Sequence, residues 1–233
     1  ARSILCVPAH ASVHDIDDDI DLGMIILPPK RALEAVKDCV AKGGKGVVRR
    51  CVIVDNEANA LGGGIFARYN HHVTVEDCHL AGNTTLGQTG KLDGGAGIAL
   101  GMNARCILRN NRIFGNTSNS DGGGIKFFNV TGAELVNNTV VGNQGGGLAG
   151  YAYRDDYGLN VDAGAVNCIF WNNGGKEVSL TGRDRNNRPP QASVTYSDVQ
   201  GGLPGAGNIQ VDPLLLNPGS GNHRLPAASP CRD

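Results

Sequence analysis

A phrase of nine residues recurs along the chain, and this repetition restricts the possible fold more than any other feature of the sequence. The copies are Val48–Asn56, Val75–Asn83, Leu108–Asn116, Leu135–Asn143 and Ala165–Asn173, with a fainter sixth copy at Val194–Gly202. Their starts are 27, 33, 27, 30 and 29 residues apart. This period is typical of a solenoid, in which one repeat makes one turn and stacks on its neighbours because it cannot bury its apolar side alone.

Each repeat contains three short extended segments with no helix between them. In one repeat these are residues 65–69, 73–75 and 78–80. Alternation within them directs a set of small and branched side chains inward, namely Ile65, Ala67, Val73, Val75, Cys78 and Leu80. The pattern predicts an all-β fold, a single-stranded parallel β-helix of triangular section with about six turns and three short strands per turn.

The first part of the chain lacks the repeat. After Pro28 and Pro29, apolar residues recur at helical spacing over residues 30–41, and Gly43 and Gly44 can end such a helix. The first turn of a solenoid exposes its core and its strand edges, so it needs a cover. We therefore expect residues 1–44 to be an N-terminal segment with a capping helix and residues 45–233 to be the β-helix domain.

Asparagine and cysteine occupy fixed positions in the phrase. The last position carries asparagine in five copies, and an asparagine amide both donates and accepts hydrogen bonds, so we expect a ladder between turns. Cys51, Cys78 and Cys168 share another position, and Cys106 falls in an apolar strand position; we interpret all four as small buried thiols. The remaining cysteines are Cys6, Cys39 and Cys231, and their pairing stays open.

The composition argues against two classes of partner. The formal net charge is −1, which favours neither nucleic acid nor an anionic membrane surface. No apolar run approaches the roughly 20 residues that a membrane-spanning helix needs. We therefore expect no nucleic-acid partner and no membrane span.

Several motifs resemble a known family. These are the N-N-x-[IV]-x-G-N phrase, the glycine-rich strand openings at Gly62–Ile65 and Gly122–Ile125, and the ending formed by residues 196–202, 212–213 and 229–233. Over roughly residues 45–233 the chain resembles the right-handed parallel β-helix family of secreted bacterial proteins. The resemblance implies a right-handed coil and an extracellular or cell-surface location. The family includes polysaccharide lyases, epimerases, glycoside hydrolases and adhesins.

The outward positions of the glycine-rich strands are the first candidate site. Counting from the last glycine gives one column of Phe66, Ala99, Lys126 and Ala149, and a second of Arg68, Gly101, Phe128 and Tyr151. The loops that lead into these strands vary in length, which is typical of a functional edge on a regular scaffold. Rings contact sugar faces, and Arg and Lys pair with carboxylates, so this stripe suits an acidic polysaccharide or cell-surface glycan. Arg154, in a nearby insertion, is a further candidate for substrate binding.

Two carboxylates form the second candidate site. Asp93 and Asp121 each precede a glycine pair in successive turns. If these phrases are in register, the carboxylates stack about 5 Å apart and can bind Ca²⁺ or act as an acid and base pair. Aspartate before glycine is also a common turn residue, which is the alternative interpretation.

Two functional hypotheses follow. The first is an extracellular carbohydrate-active protein that acts on or binds an acidic polysaccharide, with lyase-type β-elimination as one form of the activity. Lys126 would be the base and Arg68 would stabilise the developing charge, and Ca²⁺, held by Asp93 and Asp121, is the cofactor that the resemblance implies. The second is a non-catalytic surface, adhesin or structural module that associates end to end.

Overall fold

The structure is a computed structural model that describes residues 3–4, 7–8, 46–68, 72–87, 93–102, 105–153 and 160–232. The chain divides into two compact units, Ala1–Val47 and Val48–Asp233. In the first unit the described residues include a short antiparallel pair, β1 (Ser3–Ile4) with β2 (Val7–Pro8). The predicted capping helix over residues 30–41 lies outside the described residues.

The second unit is a coil of parallel strands, and successive turns place their strands in the same sheets. Sheet I consists of β6 (Ile65–Arg68), β10 (Ile98–Gly101), β14 (Ile125–Phe128), β17 (Leu148–Ala152) and β20 (Val178–Gly182). Sheet II consists of β3 (Gly46–Arg49), β7 (His72–Glu76), β11 (Arg105–Arg109), β15 (Ala133–Val136), β18 (Asp162–Val166) and β21 (Gln191–Thr195). Sheet III consists of β4 (Val52–Val54), β8 (His79–Ala81), β12 (Arg112–Phe114), β16 (Thr139–Val141), β19 (Ile169–Trp171) and β22 (Asp198–Val199).

The predicted all-β parallel helix with three strands per turn is confirmed, with one correction to its length. Sheets II and III have six strands each, whereas sheet I has five, because six copies of the phrase enclose five glycine-rich strands. The described coil therefore has about five turns rather than the predicted six. A fourth, three-stranded ladder that the sequence did not predict joins β5 (Glu57–Ala58), β9 (Thr84–Thr85) and β13 (Thr117–Ser118).

The core is a column of inward side chains from all three large sheets. One layer contains Ile98 and Leu100 from sheet I, Cys106 and Leu108 from sheet II, and Ile113 from sheet III, all fully buried. Cys78 and Cys168 are also buried, which confirms the prediction for them, but Cys51 is exposed. Cys51 occupies the same position of the phrase as Cys78 and Cys168, but it lies in the first described turn and is exposed there.

Asparagine satisfies the polar groups at one bend of the coil, as predicted. Each Nδ2 donates to the Oδ1 of the asparagine in the next turn, at 3.0 Å from Asn56 to Asn83, 2.9 Å from Asn83 to Asn116, 2.9 Å from Asn116 to Asn143 and 2.8 Å from Asn143 to Asn173. The same Nδ2 atoms also donate to backbone carbonyls, for example Asn143 to Ile113 O at 3.0 Å. The ladder thus replaces the backbone bonds that a bend cannot make.

Candidate functional site

Sheet I aligns the predicted stripe in the register that the sequence indicated. Ala99 pairs with Phe66 on one side and with Lys126 on the other, and Gly101 pairs with Arg68 and with Phe128. The structure brings three of these residues into contact. The ring of Phe128 stacks on Phe66 with 6.5 Å between centroids, and the guanidinium carbon of Arg68 lies 5.7 Å from the centre of the Phe128 ring.

Much of this outward stripe is nevertheless covered. Phe66 is 48% exposed, but Phe128 is 1% exposed and Lys126 has no exposed surface. Tyr151 stacks on Tyr153 with 6.2 Å between ring centroids, and Arg154 lies outside the described residues. A catalytic base must contact its substrate. Because Lys126 is buried, a polymer cannot contact its side chain in this conformation. Arg68 lies two turns from Lys126, roughly 10 Å away at the strand spacing.

The ammonium of Lys126 belongs to a local ion pair. Its Nζ lies 3.3 Å from Asp121 Oδ2, and the charge of Asp93 also acts on it. Burial lowers the pKa of Lys126, and the two carboxylates oppose that shift. Lys126 is therefore paired with Asp121, and the net shift of its pKa is downward.

The two aspartates do not stack in the same register position. Gly94, rather than Asp93, pairs with Asp121, because Asp93 lies five residues before Ile98 whereas Asp121 lies four before Ile125. Among the residues that the structure describes, no group of three or more His, Cys, Asp or Glu side chains is arranged to hold a metal. A calcium ion would have to compete with the Lys126 ammonium for Asp121, so these residues suit Ca²⁺ poorly.

The outer face of sheet II is covered by opposite charges. Arg105 Nη2 lies 2.6 Å from Glu134 Oε1, and Arg49 Nη2 lies 3.0 Å from Glu76 Oε2. Glu134 pairs in register with Ile107, so Arg105 reaches it diagonally from two positions earlier in the neighbouring strand. Among the described residues, these charges on sheet II are therefore paired with one another.

A groove of about 870 Å³ lies on the outer side of sheet III, and sequence reasoning missed it. The floor comes from the last residue of three successive strands, Phe114, Val141 and Trp171. The wall comes from the C-terminal segment, residues 212–223, with Leu214 and Leu216 half exposed. The volume is typical of a ligand site.

Glycine and asparagine keep this groove open. The floor residues are followed by Gly115, Gly142 and Asn172, all with positive φ between 53° and 63°. A Cβ atom on Gly115 or Gly142 would meet no atom within 4 Å, so the space above these residues is open. Glycine is favoured at both positions because it adopts positive φ without steric cost. The chain's one tryptophan therefore lines an open surface rather than the core.

Two histidine rings contact Phe114 of the groove floor; His223 lines the groove, and His79 pairs in register with Arg112. Phe114 contacts His79 edge to face, with 4.7 Å between ring centroids, and the centroid of the His223 ring lies 4.1 Å from that of Phe114. Burial lowers the pKa of both imidazoles, and the Arg112 guanidinium lowers each further. Both rings are thus held neutral near pH 7 beside a permanent cation.

His223 carries the most informative polar atom of the groove. The residue is 7% exposed, and its buried Nδ1 makes no well-aligned hydrogen bond to another described residue, although the backbone of Gly221 interacts with the ring. Buried polar atoms are nearly always hydrogen-bonded in folded proteins, so an exception needs an explanation. A ligand hydroxyl in the groove would supply the missing partner.

The floor of this groove could have been predicted in part from the repeat. The seventh residue of the phrase is an outward position, and in the first five copies it reads Val54, Ala81, Phe114, Val141 and Trp171. A run of apolar residues at an outward position predicts a covered face or a binding face. The wall could not be predicted, because residues 212–223 follow the last repeat and have no periodicity.

Comparison with known proteins supports the fold. A family model described as the right-handed β-helix region matches residues 37–189. The chain belongs to this family, and the predicted right-handed parallel β-helix is confirmed. No curated protein and no solved structure matches the chain significantly. Among the described residues, no helix has the length and apolar character needed to cross a membrane.

Proposed function

We propose that this protein binds a polysaccharide in the groove on the outer face of sheet III. The observation that carries the proposal is the pair of rings, Phe114 and Trp171, that form the floor of an open groove instead of packing in the core. Aromatic rings offer flat apolar surface, and a sugar ring presents a matching apolar face. Because a polymeric glycan is met outside the cell, the proposal includes an extracellular or cell-surface location.

Polar groups at the rim suit the hydroxyls of a sugar. Asp212 and Asn172 line the groove and are exposed, and both can accept hydrogen bonds. The buried Nδ1 of His223 adds a group without a well-aligned hydrogen bond among the described residues. Ligand sites commonly combine an apolar floor with a few polar groups of this kind.

An acidic polysaccharide and lyase-type cleavage are the second candidate, favoured by the cluster of His79, Arg112 and His223. β-Elimination on a uronate requires a neutral base to remove the proton α to the carboxylate and a cation to stabilise the resulting charge. The two imidazoles have lowered pKa values, and Arg112 is the adjacent cation. We place this chemistry at the groove rather than at Lys126 and Arg68, because Lys126 has no exposed surface.

Binding is tested with two matched variants. Calorimetric titration with soluble fragments of alginate, pectin and neutral β-glucans should show binding to at least one class. Trp171→Ala should weaken that binding by at least tenfold, whereas Phe66→Ala, which removes an exposed ring from sheet I, should leave it unchanged. The reverse pattern would move the site to the stripe on sheet I, and no binding to any glycan would overturn the proposal.

Turnover is tested separately on the uronate polymers. Lyase activity releases unsaturated products that absorb in the ultraviolet, and His223→Gln should abolish that signal while leaving the fold intact. If the polymers bind without any product, the protein is a non-catalytic binding module, which is the other hypothesis from the sequence. Addition and chelation of Ca²⁺ in the same assay test the predicted metal at Asp93 and Asp121.

A further inference from the structure

Two thiols meet at the first bend of the described coil. Cys51 precedes β4 and Cys78 precedes β8, and these strands are in register, with Val52 paired to His79. The backbone N of His79 donates to the carbonyl of Cys51 at 2.8 Å, so the two cysteines stand one above the other. Neighbouring strands lie about 4.8 Å apart, which is within the range of Cα separations that a disulfide spans.

The sulfur atoms are directed toward the same space. Cys78 Sγ lies 3.1 Å from the carbonyl oxygen of Glu76 in its own turn and 3.5 Å from that of Val48 in the preceding turn. Burial raises the pKa of the Cys78 thiol, and the neighbouring Cys51 thiol raises it further. Cys78 is buried and Cys51 is exposed, so one sulfur of the pair can be reached from solvent.

These thiols stand where the bend lacks its usual side-chain ladder. In the same column Asn111 Nδ2 donates to Asn138 Oδ1 at 2.9 Å, and Asn111 Oδ1 accepts from the backbone N of Cys78 at 3.0 Å. The amide ladder therefore ends at Cys78, and no amide links Cys78 to Cys51. A covalent bond between the sulfurs would join the two turns at this point.

We propose that Cys51 and Cys78 form a disulfide that fastens the first described turn to the second in an oxidising environment. The oxidant is a small disulfide such as oxidised glutathione. The Cys51 thiolate attacks it, forming a mixed disulfide and releasing one glutathione thiol. Cys78 then attacks the Cys51 sulfur, so that the protein disulfide forms and the second glutathione thiol leaves. Two protein thiols are oxidised and one small disulfide is reduced to two thiols.

Peptide mapping tests this directly. The full chain is incubated with a glutathione buffer of high oxidised fraction, remaining thiols are alkylated under denaturing conditions, and trypsin is added without reduction. Trypsin separates the two cysteines, because one lies in residues 51–68 and the other in residues 69–91. We expect a linked pair of these peptides that reduction converts into the two separate ones.

Three variants give the controls. Cys51→Ser and Cys78→Ser should each abolish the linked pair. Cys168→Ser should leave it intact, because Cys168 is buried in the same column between Asn138 and Ser197 and has no thiol above or below it. Fully alkylated Cys51 and Cys78 after oxidation, glutathione retained on Cys51, or linkage of Cys51 to Cys6, Cys39 or Cys231 would each overturn the proposal.

Discussion

The ring of Phe128 occupies the space above Gly101, its register partner in the preceding strand of sheet I. A Cβ atom at position 101 would lie 1.8 Å from a carbon of that ring. The absence of a side chain at Gly101 therefore lets Phe128 lean across one turn and reach Phe66, which is two turns away along the sheet. The glycine is required here for close approach and not for an unusual backbone conformation.

Gly101→Ala should destabilise the protein by roughly 1–3 kcal/mol, because the methyl group displaces the ring and overpacks a buried site. Urea unfolding monitored by circular dichroism measures this. Gly164→Ala is the matched control, since a Cβ there would meet only one atom, Ala133 O, at 3.9 Å. In a Phe128→Ala background, Gly101→Ala should have little effect, and equal effects in both backgrounds would contradict the contact.

The sequence was sufficient to predict which residues stand side by side, because register follows from the repeat. Phe66, Ala99 and Lys126 form one column as expected. It was not sufficient to predict that Lys126 is buried, because strand alternation separates inward from outward positions and does not say whether an outward face is covered. The groove was missed for a related reason: residues 212–223 lie against sheet III without any repeat to place them.

Asn143→Ala should be one of the most damaging single changes in the coil. The backbone N and Nδ2 of Asn116 both donate to Asn143 Oδ1, at 3.0 and 2.9 Å. The backbone N–H and one of the two Nδ2 hydrogens would be left buried without an acceptor, while the other still donates to Leu80 O. We expect a loss of roughly 3–5 kcal/mol, since several buried donors and acceptors lose their partners together. Thermal and urea unfolding measure the loss.

An exposed asparagine provides the comparison for the ladder. Asn119 makes a single side-chain hydrogen bond, to Leu86 O at 3.3 Å, and lies at the surface. Asn119→Ala should cost less than about 1 kcal/mol. A similar loss from both variants would mean that the ladder contributes no more than ordinary surface polar contacts.

The pair of Lys126 and Asp121 should respond unequally to removal of its two members. Lys126 is fully buried, whereas the side chain of Asp121 is 53% exposed. Lys126→Met keeps a side chain of similar volume and leaves the Asp121 carboxylate accessible to water. The free energy of unfolding should therefore stay within about 1 kcal/mol of that of the original protein. Asp121→Asn leaves a buried ammonium with less compensation and should destabilise more, by about 1–2 kcal/mol.

The Lys126→Met variant also tests the predicted catalytic role of Lys126. If a lyase activity is found, Lys126→Met should leave it within twofold, because the side chain has no exposed surface through which to contact a polymer. Loss of activity in a fully folded Lys126→Met protein would restore Lys126 as the base. Folding is checked by circular dichroism and by the urea midpoint before any rate is compared.

Acid should weaken the contact between the C-terminal segment and sheet III through His223. Burial lowers the pKa of His223 below its ordinary value of 6.5. Arg112 and His79 add to the shift, and a backbone hydrogen bond with Gly221 opposes it. Asp212 is a further charged group lining the same groove. The folded protein therefore binds fewer protons than the unfolded chain between the two pKa values. The stability that depends on neutral His223 is present above about pH 6.5 and is lost as the pH falls through the folded-state pKa.

We expect the urea unfolding free energy to drop by on the order of 1 kcal/mol between pH 7.5 and 5.5, with part of the drop due to His223. His223→Gln removes the titrating group and should flatten that part of the profile, while tryptophan fluorescence from Trp171 reports whether the groove loosens over the same range. His72→Gln, at an exposed position on sheet II, should leave the profile unchanged. A profile that is the same in the original protein and in His223→Gln would show that protonation of His223 does not control this contact.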